Sequence, residues 1–336
     1  MATRRRGRKL PISREKDGDE FIYRLGKRKI TNRAEIERIE ALVIPPAWEQ
    51  VEIEKAPSAK VLARGIDAAG RTQTIYHPSF RRRQDRRKFD RMLRFGEALP
   101  RLRARVDRDL RRRRLSRDRV TACVIRLIDL QFFRVGNPIY AKDNRSYGVT
   151  TLREEHLTTT SSAVEFDFMG KSGKRQRRRV SDARIARLIA RLTELPGPEV
   201  FRFFDEDGVV HNLRSRHVNA YVKRHMGDEF TAKDFRTWGG TVLVADALLN
   251  VDPSEVKSEK ARAKGLRDAI AAASARLGNT SAVTRSSYVD PRVIDAAEHP
   301  KILDRVRQAR IYPRKNLTDS EQRAMRLLEL ESQTSG

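Results

Sequence analysis

The chain of 336 residues carries 72 Lys and Arg against 45 Asp and Glu, a formal net charge of +27, with 38% hydrophobic residues. That length allows about two domains with buried cores, and the charge, spread along the chain, points to a polyanionic partner whose binding weakens steeply with salt. A single cysteine, Cys123, excludes an intramolecular disulfide and a cysteine-rich zinc module, and no apolar run approaches the roughly 20 residues that span a bilayer, so a cytoplasmic protein is expected.

Residues 1–18 begin with Arg4, Arg5, Arg6, Arg8 and Lys9 and read as a basic disordered arm. Residues 19–88 read as a small β-rich domain. Thr31 is placed to cap a short helix carrying Ile36, Ile39 and Leu42, which Pro45-Pro46 stops. The period then drops to two: Val51 and Ile53 alternate with Glu52 and Glu54, and residues 61–66 and 73–76 are further strands set off by glycine and proline. Residues 80–88 form a charged connection, the best candidate for a domain junction and a hinge.

Residues 89–336 read as mainly helical. Val120, Cys123, Val124, Leu127 and Ile128 make a helical stripe that delivers Arg134 at its end, in Phe133-Arg134-Val135-Gly136-Asn137. Tyr140, Asn144 and the run from Ser146-Tyr147-Gly148 to Leu152 follow. Val164, Phe166 and Phe168 alternate with Glu165, Asp167 and Met169, and residues 175–180 follow a glycine-rich turn, giving a β-hairpin with Lys171 at its tip. Ser181 is placed to cap a helix with Ile185, Leu188, Ile189 and Leu192. Further helices are expected over residues 213–226, 234–249, 254–277 and 319–331, with Gly278 as a stop.

Two arginines, a lysine, an amide and a tyrosine among these elements are the parts needed for phosphoryl transfer through a phosphotyrosine. A phosphodiester resists attack because the nucleophile meets negative oxygens and the alkoxide leaves poorly. Arg134 and Arg236 can neutralise the nonbridging oxygens, Lys171 can protonate the leaving 5′ oxygen, Asn279 can donate a hydrogen bond, and Tyr288 can store the bond as an ester. Neither metal nor ATP is needed if that ester is simply reversed. Each group alone has an ordinary explanation: a basic protein holds many solvated arginines, and Tyr288 in Arg-Ser-Ser-Tyr-Val suits a half-buried helix position. Gly170-Lys171-Ser172 is not a phosphate loop, since Glu165 stands where the first glycine is required. The spacing of His211, His217 and His225 suits no zinc site.

The local contexts carry more. Arg-x-Gly-Asn with Ser-Tyr-Gly-x-Thr-Thr-Leu, then Gly-Lys, Lys-x-x-Arg-Thr-Trp-Gly, Leu-Gly-Asn-Thr and Ser-x-Tyr resemble the type IB DNA topoisomerases, in particular the small poxvirus-like and bacterial members. Ile44-Pro45-Pro46-Ala47-Trp48 and Gly65-Ile66-Asp67-Ala68-Ala69-Gly70-Arg71-Thr72-Gln73 resemble the DNA-facing part of their N-terminal domain, so the likeness runs from about Asp19 past Tyr288. The resemblance implies an α+β fold, a β-rich N-terminal domain and a larger helical catalytic domain that clamp duplex DNA. It makes Arg134, Lys171, Arg236, Asn279 and Tyr288 the catalytic set, with linkage to a 3′ phosphate, and makes Arg71, Gln73, Tyr76, Tyr140 and Lys233 DNA contacts. It further implies relaxation of supercoils of either sign without cofactor or metal, by a nucleoid-associated monomer. Asn279 stands where the poxvirus members have histidine, as in the bacterial branch, and Thr74 stands where an aromatic is often found, which argues against strongly sequence-specific cleavage. A tyrosine recombinase is the neighbouring alternative, but its usual histidine three residues before the second arginine is Lys233 here. A noncatalytic architectural DNA-binding protein is the other; it would form no covalent adduct.

Overall fold

The computed structural model describes residues 9–68 and 70–334, and the chain divides into two units, Met1–Lys88 and Phe89–Gly336. In the first, β1 (Ile12–Asp17), β2 (Glu20–Leu25) and β3 (Arg28–Lys29) are followed by α1 (Arg33–Glu40), then β4 (Glu49–Ile53), β5 (Val61–Ile66) and β6 (Thr72–Tyr76). The strands make one six-stranded sheet in the order β3-β2-β1-β4-β5-β6, with every neighbouring pair antiparallel. Alternation decides which face is buried: Ile12, Val51, Ile53 and Ala63 form one core with Tyr23 and Ile39 of α1. The cap of α1 is Asn32, not Thr31; its side chain accepts from Glu35 N at 3.1 Å.

The expected arm is corrected where it can be seen. Residues 1–8 lie outside the described residues, but residues 12–17 are β1, a strand between β2 and β4. Leu10 and Ile12 are buried, and burial of two such side chains is worth about 3–6 kcal/mol, enough to order a short charged segment. Arg14 is part of that structure. It donates to the carbonyls of Ile44 at 3.1 Å and Trp48 at 2.7 Å and lies 4.1 Å over the Phe21 ring. The charged stretch at residues 80–88 lies within helix α2 (Pro78–Asp90), and the two units divide after Lys88. Arginine and lysine have good helix propensity, and here nearly all of them are exposed.

The second unit continues with α3 (Met92–Leu110), α4 (Arg117–Gln131) and α5 (Pro138–Asn144), then a three-stranded antiparallel sheet, β7 (Leu157–Thr159), β8 (Val164–Met169) and β9 (Arg175–Val180). After α6 (Ala183–Thr193) come the strand pair β10 (Arg202–Phe204) and β11 (Val210–Asn212), and then α7 (Ser215–Met226) and α8 (Asp234–Leu249). The chain ends with α9 (Glu259–Leu277), α10 (Ser281–Tyr288), α11 (Pro291–Glu298), α12 (Pro300–Gln308) and α13 (Asp319–Thr334). This is the expected α+β class. Three helix starts differ from expectation: Asp182, not Ser181, caps α6, α7 starts at Ser215 and not at residue 213, and α9 starts at Glu259 because Ser258 caps it, with a separate 3₁₀ turn at Pro253–Val256. No helix among the described residues is long and apolar enough to cross a membrane.

Helix α8 organises this unit. Phe235, Trp238, Val244, Ala245 and Leu248 are buried, and the helix packs against α3, α9, α10 and α13. Trp238 Nε1 donates to Glu321 on α13 at 3.1 Å, and the same carboxylate pairs with Arg103 of α3 at 2.8 Å. Arg103 also grips Asp129 of α4 at 2.7 Å, so one guanidinium ties three helices. Cys123 is fully buried on α4, and burial pushes its thiol up to about 12.

Candidate active site

Arg134 lies just beyond α4, which Phe132 ends with a left-handed backbone at φ 55°. The loop after α5 fixes the chain there. Val149 N donates to Arg134 O at 2.8 Å, and Thr150 donates to Val135 O from its backbone at 2.7 Å and its hydroxyl at 2.8 Å. The motif Ser-Tyr-Gly-x-Thr-Thr-Leu is thus the platform under Arg134.

Arg236, on the first turn of α8, is 4% exposed. Its guanidinium donates to the carbonyls of Phe132 and Leu277, the latter at 2.8 Å, which joins the ends of α4 and α9. The start of α8 is itself held: Asp234 accepts from Thr231 N at 2.8 Å, from the Thr231 hydroxyl at 2.9 Å and from Arg91 at 2.6 Å.

Asn279 follows the last turn of α9, where Gly278 takes the left-handed conformation at φ 65° and Asn279 N reaches back to Ser274 O at 3.0 Å. Its Oδ1 accepts from Arg134 at 2.5 Å. Its Nδ2 is buried and has no acceptor among the described residues, and the same holds for Nε of Arg236.

Tyr288 ends α10. The Arg236 guanidinium carbon lies 5.0 Å from its ring centroid. A methyl group at Gly240 would lie 2.4 Å from the Tyr288 carbonyl oxygen, so glycine there lets the tyrosine backbone rest on α8. Asp290 N donates to Thr241 Oγ1 at 3.1 Å and fixes the chain just beyond.

Burial pushes the Tyr288 phenol up, but the charge and hydrogen bond of Arg236, with the charges of Arg134 and Lys233, outweigh it and hold the phenol below its ordinary value. Arg236 is pushed down to about 10, first by burial and then by Arg134. Arg134 is lowered by burial. The cluster thus crowds positive charge around a single phenol, an arrangement that favours an anion.

Lys171 stands apart. It is exposed in the turn between β8 and β9 and makes no hydrogen bond or ion pair to Arg134, Arg236, Asn279 or Tyr288 among the described residues. Lys233 is exposed immediately before α8, near enough to act on the Tyr288 charge. Tyr140 is 39% exposed on α5, whose start Asn137 caps by accepting from Ile139 N at 3.0 Å. In the first unit, Arg71 Nε and Gln73 Nε2 both donate to Asp67 Oδ2, at 2.7 and 2.8 Å, which orients the pair. Tyr76 is 38% exposed and packs on Phe80 with ring centroids 5.3 Å apart.

Sequence reasoning missed Arg178. From β9 it donates to Arg276 O at 2.9 Å and Ala275 O at 3.3 Å, and its charge adds to the field on Arg236. The signal was the parity of the strand: Gln176, Arg178 and Val180 share one face, whereas Arg175 and Arg177 point the other way and pair with Asp167.

The chain is similar to known proteins over most of its length. A family model described as the eukaryotic DNA topoisomerase I catalytic core matches residues 77–308, and one described as the bacterial DNA topoisomerase IB N-terminal domain matches residues 20–67. DNA topoisomerase 1B of Acanthamoeba polyphaga mimivirus is 33% identical over 285 residues, covering 83% of this chain and 84% of that protein. DNA topoisomerase 1B of vaccinia virus (strain Copenhagen) is 20% identical over 268 residues, 79% of each chain. The match to the catalytic core defines an enzyme of the DNA topoisomerase I class. Within that class, the chain belongs to the type IB DNA topoisomerases.

Proposed function

We propose that this enzyme relaxes positive and negative supercoils by opening one strand of duplex DNA through Tyr288. Tyr288 gives up its phenol proton to solvent, the phenolate oxygen attacks phosphorus, the bond from phosphorus to the 5′ oxygen breaks, and Lys171 gives that oxygen a proton. The products are a 3′-phosphotyrosyl ester and a free 5′ hydroxyl. Arg134 and Arg236 neutralise the nonbridging oxygens, and Nδ2 of Asn279 donates to one of them. The free end rotates about the intact strand, and attack of the 5′ hydroxyl on the ester restores the phosphodiester. Because the ester keeps the bond energy, the cycle consumes no ATP and calls for no metal.

The observation that carries this reading is the convergence of Arg236 and of Arg134, which bonds Asn279, on Tyr288 from separate segments. Both units grip the duplex, the first through Arg71, Gln73 and Tyr76, the second through Tyr140 and Lys233. All five catalytic groups lie in one chain, so the enzyme acts as a monomer, at the nucleoid. Purified protein with supercoiled plasmid of either sign, in EDTA and without ATP, should yield relaxed topoisomers on a gel. Loss of activity on adding EDTA would overturn the metal-free cycle.

The role of Lys171 has its own test. Lys171→Ala should slow cleavage by about 10²–10⁴-fold on an ordinary 5′-oxygen leaving group. A substrate with a 5′-bridging sulfur, whose thiolate leaves without a proton, should recover most of that loss. Without such recovery Lys171 is not the acid.

A further inference from the structure

Between the Lys171 turn and the Asn279 turn lies a buried side chain outside the catalytic set. Gln176, on β9, is 8% exposed. A methyl group on Gly170 would lie 3.1 Å from its Cγ, and one on Gly278 would lie 2.6 Å from its Nε2 and 2.9 Å from its Oε1. These glycines immediately precede Lys171 and Asn279. Gln176 therefore packs against both backbones, so closely at Gly278 that a β-carbon there would force its amide to move.

Among the described residues, the side-chain amide makes only long hydrogen bonds to its near neighbours, to Lys174 O at 3.3 Å and Arg175 O at 3.4 Å. Its main contribution is shape. Nearby bonds stiffen the same joint. Gly170 N donates to Lys174 O at 2.9 Å and closes the root of the turn, and Arg178 holds the end of α9. The tip beyond that root is exposed, with Ser172 and Gly173 both left-handed at φ 61° and 68°.

We propose that Gln176 is a positioning residue: wedged between Gly170 and Gly278, it sets where the Lys171 turn stands relative to Asn279 and to the phosphate that Asn279 contacts. The inference rests on the general-acid reading of Lys171. Since Lys171 makes no hydrogen bond to the other catalytic groups among the described residues, the root of its hairpin is what places it. An error of about 1 Å in a catalytic group costs on the order of 10²-fold in rate.

Single-turnover cleavage of a short duplex tests this with two substrates, one with the ordinary 5′ oxygen and one with the 5′-bridging sulfur. Gln176→Ala should slow the ordinary substrate by about 10–100-fold, with duplex affinity unchanged, and the sulfur substrate should recover most of the loss. Gln176→Met, equally long but without the amide, should cleave near the wild-type rate. Where the alanine variant does not fold by thermal unfolding, Gln176→Val, short but favoured in a strand, carries the same test. Three results would overturn the proposal: a wild-type rate in the truncated variant, an equal loss on both substrates while Lys171→Ala is still rescued by sulfur, or a methionine variant as slow as alanine. Failure of sulfur to rescue Lys171→Ala instead removes the general-acid reading, and this inference with it.

Discussion

Replacing Tyr288 with phenylalanine should abolish plasmid relaxation, a loss of at least about 10⁴-fold, while duplex binding persists. The substitution removes one oxygen and little else. The ring that lies 5.0 Å from the Arg236 guanidinium stays, as does the backbone contact with Gly240. Any loss therefore reports the oxygen and not the packing. The check is a relaxation gel alongside a denaturing gel for covalent protein–DNA adduct, with binding followed by mobility shift. Relaxation at the wild-type rate would take Tyr288 out of the mechanism; loss of binding together with activity would show that the hydroxyl serves duplex binding instead.

The second large effect is expected at Arg236. Arg236→Ala should reduce cleavage by about 10²–10³-fold, as for loss of a preorganised donor to a developing charge, and should also change the nucleophile. Burial pushes the Tyr288 phenol up, and Arg236 supplies the foremost opposing pull. Without it the phenol rises, so less phenolate is present at a given pH and the rising limb of the pH–rate profile moves to higher pH. An ultraviolet titration of phenolate, with the Tyr288→Phe protein as blank, reads the shift directly. Arg236→Lys is the informative companion. It keeps a charge but loses the fork that bonds the Phe132 and Leu277 carbonyls, so it should recover part of the titration and little of the rate. An unchanged titration in the alanine variant would mean that Arg236 does not set the state of Tyr288.

Much of this was legible because strong periodicity and local punctuation agree. β5 occupies residues 61–66 and α8 residues 234–249 as expected, the first from its turn residues, the second from its long apolar content. The β8–β9 hairpin with Lys171 in its turn was visible from strict alternation in β8 and the glycine-rich turn that follows it. What the sequence hid was decided by contacts between distant residues. β1 looked like a charged tail because only Leu10 and Ile12 are apolar, and it becomes a strand through pairing with β2 and β4. Asn32 and Asp182 displaced Thr31 and Ser181 as caps because a shift of one residue changes which side chain can reach the free amides, a choice that neighbouring cap-forming residues leave open. At the site, motif order named Arg134, Arg236, Asn279 and Tyr288, whereas Asp234 and Arg178, which hold the helix ends around them, do so through partners that no local pattern announces.

The seating of α10 against α8 also has a mechanical meaning. The Tyr288 carbonyl lies on Gly240, the following turn is tied to Thr241, and α8 is wedged among α3, α9 and α13. In the proposed cycle, the strand end esterified to Tyr288 is bolted to a stiff mount, and torque from the unwinding duplex is distributed through a hydrophobic interior instead of bending a surface loop. Compliance is left to the DNA. The severed strand can swivel without dragging its partner end away from the phosphate, which keeps the joint aligned for resealing.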